Sequence, residues 1–402
     1  MIVQQLKHVP IGKYTLTVRS WSPARESIED TFQYVDLSSV DQSEKEIIPN
    51  EQISVRDAPS RARQLIKEGD ILVSTVRPNL NGVAYVPESL DGATASTGLC
   101  VLRPDDNVLD GRYLFHWVRT PQFVEDMVRK ATGQSYPAVS DRIVKDSLIP
   151  LPLLDEQRRI AAILDQADAL RRARRRAIER LNDLGQAMFY EMFGDPATNP
   201  KAFPTRTLSE FYINEKDGTK CGPFGSALKK NEIVESGIPV WNMDNIDPSG
   251  HVVMPFRMWI TEDKYRELES YSVIDGDIII SRAGTVGKMC VANSGGTASI
   301  ISTNLIRVRF GADLLPIYFV SLMTYCKGRV GRLKTGPDGS FTHMSTGVLD
   351  KLKFPYPPVS LQRRFASIIA SMEQQKALLQ AHLNYQDTLF ASLQHRAFCG
   401  DL

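Results

Sequence analysis

The feature that most constrains this chain is an internal repeat. Gly69-Asp70-Ile71-Leu72-Val73-Ser74 recurs as Gly276-Asp277-Ile278-Ile279-Ile280-Ser281, at an offset of 207. Ala95-Ser96-Thr97-Gly98-Leu99 matches Ile301-Ser302-Thr303-Asn304-Leu305 at 206. Pro150-Leu151-Pro152 with Gln157-Arg158-Arg159 matches Pro355-Tyr356-Pro357 with Gln362-Arg363-Arg364 at 205, and Gly194-Asp195 matches Gly400-Asp401. Landmarks in one order at nearly one offset mean two copies of a single plan, which rules out one continuous core across all 402 residues.

Each copy pairs a mixed globular part with a long helix. The runs after Gly69-Asp70 and Gly276-Asp277 are short, apolar and β-rich, so they read as strands entered through a turn. Gly111 to Arg129 reads as a shorter helix packed on that sheet. After Pro152 the apolar spacing changes to Ile160, Leu164, Ala167, Ile178, Leu181 and Met188, with no proline until Pro196. That pattern predicts a helix of about 40 residues, roughly 60 Å long. Leu361, Phe365, Ile368, Met372, Leu379, Leu383, Leu389 and Leu393 repeat it in the second copy. An apolar stripe of that length must be buried, and the other copy's helix is the nearest partner. Antiparallel pairing is expected, because a parallel pair would crowd the two globular parts together. The expected fold is α+β: globular domains at 1–152 and 195–357, alternating with helices at 153–194 and 358–402 that pair as an antiparallel coiled coil with pseudo-two-fold symmetry.

Composition narrows the class. Hydrophobic residues make up 42% and charged residues 24%, enough apolar content to fold. No apolar run approaches the ~18–20 residues that cross a bilayer, and Gln4, Gln5, Lys7 and His8 stand where a signal peptide carries its apolar stretch. A cytoplasmic location without membrane contact is expected. The five cysteines are far apart and never spaced C-x-x-C, which argues against a disulfide framework or a structural zinc site. The net charge of +1 leaves nucleic-acid binding to local basic patches.

Enzyme motifs mostly fail. Gly284-Thr285-Val286-Gly287-Lys288 resembles a phosphate loop, but the first glycine is missing and Met289 stands where Ser or Thr is required. It reads as a turn. Asn199-Pro200-Lys201-Ala202-Phe203 reads as a linker. Asp247, Glu262 and Lys264 have the spacing of a metal-dependent nuclease, in which carboxylates hold Mg²⁺ and the lysine assists the attacking water. The competing reading is a solvated helix start. The histidines show no H-E-x-x-H pairing and no Ser sits in a G-x-S-x-G elbow; His116, between Phe115 and Trp117, reads as a packed helix residue. These absences point to a binding protein.

Two kinds of feature suggest binding. Arg158, Arg159, Arg171, Arg172, Arg174, Arg175, Arg176 and Arg180 load the first long helix, balanced in part by Asp165, Asp168 and Glu179. Arg171 and Arg174 fall near the apolar stripe, so acidic groups of another subunit or DNA phosphates are expected to meet them. Four short loops, three of them containing glycine, also carry side chains that contact phosphates and base edges. The candidates for DNA contact are Arg77, Asn79, Thr132, Gln134 and Tyr136 in the first domain, and Lys220, Ser226, Arg282, Lys334 and Ser340 in the second.

Taken together, these residues resemble the specificity subunit of a type I restriction-modification system. The resemblance runs through Ile66 to Asn79, Ile149 to Pro152 with Glu156 to Ala161, Gly222 to Ser226, Gly237 to Val240 and Gly276 to Gly287. One departure stands out: Ser360-Leu361-Gln362 opens the second helix where Asp155-Glu156-Gln157 opens the first, so Glu156 has no counterpart. The resemblance implies a subunit with no catalytic residues and no cofactor of its own. Each recognition domain would read one half of a split, asymmetric site in double-stranded DNA, with the helices as spacer. Two modification subunits would dock on the helices and methylate adenine with S-adenosylmethionine, and motor-nuclease subunits using ATP and Mg²⁺ would join them in restriction. Adenine methylation takes the base out of the stack, so the partner must sit beside the recognised half-site. The alternatives are a nuclease centred on Asp247, Glu262 and Lys264, and a structural adaptor.

Overall fold

The structure, a computed structural model, describes residues 7–22, 30–247, 249–282, 286–326 and 344–402. Its α-helices there are α1 (Gly111–Trp117), α2 (Pro121–Lys130), α3 (Asp141–Lys145), α4 (Leu154–Phe193), α5 (Glu262–Glu267), α6 (Pro316–Tyr325), α7 (Thr346–Asp350) and α8 (Val359–Cys399). The chain divides into two compact units, Met1–Ala177 with Leu379–Leu402, and Ile178–Leu378. Each unit therefore contains one globular domain, part of α4 and part of α8.

In the first unit the central sheet has the strand order Thr15–Leu16, Leu99–Pro104, Ile71–Ser74, Val83–Tyr85. In the second, Thr219–Cys221, Leu305–Val308, Ile278–Ser281 and Met289–Val291 repeat that order. Side chains alternate across a strand, so Ile71 and Val73 enter the helix-covered core while Leu72 enters a second cluster on the opposite face. Ile278 and Ile280 part from Ile279 in the same way. Burial on both faces explains why these strands are apolar throughout rather than alternating.

The repeated landmarks are framework anchors. Gly69 and Gly276 have φ of +84° and +92°, a conformation that turns the chain into the strand at no side-chain cost. The following aspartate is buried. Asp70 accepts the Lys67 N–H at 2.8 Å and holds Arg103 through bonds of 2.8 and 2.7 Å. Asp277 accepts the Ile274 N–H at 2.9 Å and holds Arg309 at 2.7 and 2.8 Å. Buried Gln157 accepts the Asp110 N–H at 2.9 Å and donates to the Val108 and Pro152 carbonyls at 2.9 Å. Gln362 binds the Leu315 N–H and the Pro357 carbonyl in the same manner. The departure at Glu156 is harmless, because Glu156 only pairs at the surface with Arg159.

The long helices pair antiparallel within each unit. In the first, Arg159 donates to the Leu402 carbonyl, Arg171 to Asp387, and Arg174 meets His382, so α8 descends as α4 ascends. The stripe is buried there by Ile160, Ala161 and Leu164 from α4 and by Phe390, Ala397 and Phe398 from α8. In the second, Phe189 and Phe193 of α4 meet Phe365 of α8 with ring centroids 5.6 and 5.2 Å apart.

Two details depart from expectation. The segment read as one helix from Gly111 to Arg129 is two, because Thr120 caps α2 through the Phe123 N–H and Pro121 opens it. The smaller three-stranded sheets also differ. Both contain a parallel pair, Tyr34–Val35 with Thr94–Ser96 and Ile238–Trp241 with Ile300–Ile301. The antiparallel third strand joins Thr94–Ser96 in the first unit but Ile238–Trp241 in the second.

Candidate nucleic-acid interface

The first domain brings its five candidate residues onto two adjoining exposed loops. The loop Arg77–Asn81 follows the Ile71–Ser74 strand, and residues 132–138 follow α2. The Arg77 N–H donates to the Pro137 carbonyl at 2.7 Å, while Ala138 bridges both Val76 and Thr132. The turn closes on Gly133 at φ +98°, where a Cβ would stand 2.9 Å from the Tyr136 carbonyl oxygen. The Arg77 guanidinium lies 4.9 Å from the centre of the Tyr136 ring, which is 69% exposed. Asn79, Thr132 and Gln134 are exposed beside them.

The second domain uses the corresponding place in the plan. The Arg282 N–H donates to the Asn304 carbonyl and the Met344 N–H to the Arg282 carbonyl. Thr75, Gly98 and Val139 make the same pair of bonds in the first domain. Arg282 stacks 4.7 Å from the Phe224 ring, which is 56% exposed. Lys220, expected in a loop, lies in the Thr219–Cys221 strand with its ammonium 5.2 Å from the Tyr271 ring. Ser226 falls in the single turn Gly225–Ala227. Lys334 and Ser340 lie outside the described residues, as do Gly284 and Thr285 of the phosphate-loop-like segment. Sequence reasoning missed Phe224 and Tyr271, whose roles depend on cations far away in the chain.

The structure corrects the reading of Arg171 and Arg174. Arg171 is mostly buried, bonds Asp387 at 2.6 Å and Asp168 at 3.0 Å, and lies 4.3 Å from the Phe390 ring. Arg174 bonds the His382 ring at 2.9 Å. Their partners are on this chain's own second helix, whose approach a linear reading cannot see.

The nuclease trio is engaged elsewhere. Lys264 pairs with Glu232 and Glu267, both at 2.9 Å, and Glu262 lies near Arg266. Asp247 accepts the Ser249 and His251 N–H groups at 2.8 Å. Among the described residues no group of three or more His, Cys, Asp or Glu side chains is placed to hold a metal ion, and no helix is long and apolar enough to cross a membrane.

His116 is fully buried in α1 and bonds Asp165 of α4 through Nε2 at 2.9 Å. Burial pushes its imidazole below the ordinary value, outweighing the opposing bond to Asp165. Buried Nδ1 has no hydrogen-bond partner, consistent with a neutral ring that donates from Nε2. The residue ties α1 to α4.

Comparison with known proteins agrees with this architecture. Residues 31–180 match the family of the type I restriction modification DNA specificity domain. The MjaVIII specificity subunit of Methanocaldococcus jannaschii is 22% identical over 323 residues, 77% of this chain and 73% of that one. The HindI specificity subunit of Haemophilus influenzae is 26% identical over 144 residues, covering 35% of this chain and 31% of that one. A solved chain described by the words "Structural basis underlying complex assembly and conformational transition of the type I R-M system" is 26% identical, with 99% of both chains covered and a TM-score of 0.59. The type I restriction-modification S subunit from M. genitalium shares the fold at the same TM-score and 16% identity over 99% of this chain and 98% of that one. The fold thus comprises two units, each a mixed α+β domain with paired segments of α4 and α8. Over residues 31–180 in sequence, and in its fold, the chain is similar to the specificity subunits of type I restriction-modification systems.

Proposed function

We propose that this chain is the non-catalytic subunit that gives a type I restriction-modification complex its DNA sequence specificity. Each globular domain reads one half of a split, asymmetric duplex site, and the helices set the separation of the halves. The observation that carries this reading is that each domain places an arginine over an exposed aromatic ring just beyond the equivalent strand, Arg282 directly after Ile278–Ser281 and Arg77 three residues after Ile71–Ser74. Such a pair offers a directed cation and a stacking face, which suit base edges and the DNA backbone. Arg77, Asn79, Thr132, Gln134 and Tyr136 are the proposed contacts of the first domain. Lys220, Ser226, Arg282, Lys334 and Ser340 are those of the second.

The chemistry belongs to the partners. Two modification subunits dock on the helical parts and flip the target adenine beside the bound half-site, using S-adenosylmethionine. Motor-nuclease subunits using ATP and Mg²⁺ join for restriction, and the complex works in the cytoplasm. The test is competition binding by the chain assembled with its modification subunit. A duplex carrying both half-sites at their native spacing should outcompete duplexes with either half scrambled by at least ~10³-fold. Equal competition by all duplexes would refute the proposal.

A further inference from the structure

The arginines of α4 and the strained residues of the first domain meet in one network. Among the described residues, three of the five non-glycine residues with positive φ lie there: Lys45 at +59°, Arg77 at +50° and Asn81 at +47°. Left-handed backbone costs a residue such as Lys or Arg about 1–2 kcal/mol, so it persists where surrounding contacts over-determine it. These contacts can be traced. Residues 41–46 form a self-bonded turn, with the Lys45 N–H on the Asp41 carbonyl and the Asp41 N–H on the Glu46 carbonyl, both at 2.9 Å. On either side of Lys45 the turn is tied to α4, Glu44 to Arg175 at 3.6 Å and Glu46 to Arg172.

Lys45 carries this anchorage to the candidate reading loop. Its Nζ donates to the Asn81 carbonyl at 2.5 Å, and the Asn81 side-chain amide donates to the Arg119 carbonyl at 3.3 Å. Arg119, nearly buried, is held by Asp168 of α4 at 3.0 Å. The far end of the loop is fixed by the bond from Arg77 N–H to the Pro137 carbonyl, and the guanidinium rests on Tyr136. An exposed arginine is thus held on a loop pinned at both ends.

We infer that Arg77 is the specificity-determining residue of the first domain, presenting its guanidinium edge to a guanine in the major groove, and that Lys45 is the positioning residue that locks its loop to α4. This rests on the proposed DNA-reading function. The Tyr136 face beneath the guanidinium restricts where it can point, and its fork of donors matches O6 and N7 of guanine. The arrangement also gives the helix arginines a purpose, as the rigid footing of a reading loop.

Lys45 provides a signature that plain structural support would lack. Burial, followed by the like charge of Arg119, pushes its ammonium down to about 8, against the opposing pull of Asp41 and Asp168. Glu44, Glu46, Arg172 and Arg175 are the remaining charged groups of this network. With the folded value below the unfolded one, Lys45 makes the fold more stable as pH rises from about 8 towards 10. The charge-assisted bond to Asn81 weakens over the same interval, so reading and stability move in opposite directions.

The experiment uses the full chain assembled with its modification subunit, bound to duplexes randomised across the first half-site. Arg77→Gln should lose about 10- to 100-fold of guanine discrimination at one position and lean towards adenine there, while Arg77→Lys keeps part of the guanine preference and shows no such lean. Reading of the second half-site stays unchanged and reports an intact fold. Lys45→Met should blunt discrimination at the same position, Lys45→Arg should restore it, and the native fall in discrimination above pH 8 should vanish in Lys45→Arg. Uniform weakening on all sequences by Arg77→Gln, with a salt slope lower by about one, would make Arg77 a phosphate contact and overturn the inference. Unchanged discrimination in Lys45→Met would overturn the positioning role. A native complex without any sequence preference would overturn the proposed function itself, and the inference with it.

Discussion

The buried pair Asp70–Arg103 offers a quantitative test of why the Gly-Asp landmark repeats. Side-chain exposures are 1% for Asp70 and 15% for Arg103. In Asp70→Ala the Arg103 guanidinium loses both carboxylate bonds and keeps the Leu65 carbonyl at 3.1 Å, while the Lys67 N–H loses its acceptor. Removing one member of a buried pair typically costs about 3–5 kcal/mol, because the remaining charge stays out of water. At about 2–4 °C per kcal/mol for a unit of this size, the first unit's thermal transition should fall by about 6–20 °C. Scanning calorimetry of the full chain reads this, with Asp126→Ala as control. Asp126 pairs with Arg129 and Lys130 at the surface, and its loss should cost under ~1 kcal/mol. The double variant Asp70→Leu/Arg103→Met should recover most of the loss, since two apolar groups replace a pair that had to be desolvated. A cost for Asp70→Ala no larger than the control's, or a double variant no better than the single, would refute the reasoning.

Other outcomes follow from the same geometry. Because the folded His116 titrates below its unfolded value, the unfolded chain binds the extra proton first as pH falls through about 6.5, so stability should drop there. Urea midpoints at pH 5, 6 and 7 should show that slope in the native chain and a flatter one in His116→Gln. Arg171→Met should cost about 1.5–3 kcal/mol by removing the charged bonds to Asp387 and Asp168, yet leave the salt slope of DNA binding untouched. A slope reduced by about one would restore Arg171 as a phosphate contact. Burial pushes the Cys290 thiol up to about 12 and raises Cys100 as well, whereas Cys399 is exposed. Ellman's reagent should therefore modify Cys399 first and reach Cys100 and Cys290 only on unfolding; early modification of either would contradict their burial.

The framework was legible because each landmark residue does a local job that its own motif displays. Gly69 turns the chain, Asp70 binds three residues back, and Gln157 caps the segment at the start of α4, so their recurrence at 276, 277 and 362 announces the repeat. The period of Ile160, Leu164 and Ala167 likewise exposed the long helix and its need for a partner. Contacts between distant segments were illegible. Nothing in the arginine run shows that Asp387 neutralises Arg171 across 216 residues, so the linear sequence points that charge at other molecules. Lys45 escaped notice because its partner Asn81 lies 36 residues away, in a loop whose left-handed residues carry no glycine signal. The third strand of the small sheet changes its neighbour between units, a choice of edge that neither Ala-Arg-Gln-Leu at 62–65 nor Trp259-Ile260 displays in its own pattern.

The central claim, that this chain sets which DNA is modified, is tested most directly by mapping methylated adenine across the genome of the source cell with and without the gene. The account predicts that one split, asymmetric motif loses its methylation on deletion and regains it on complementation. A methylation map unchanged by deletion, in cells shown to express the chain together with its modification subunit, would contradict it.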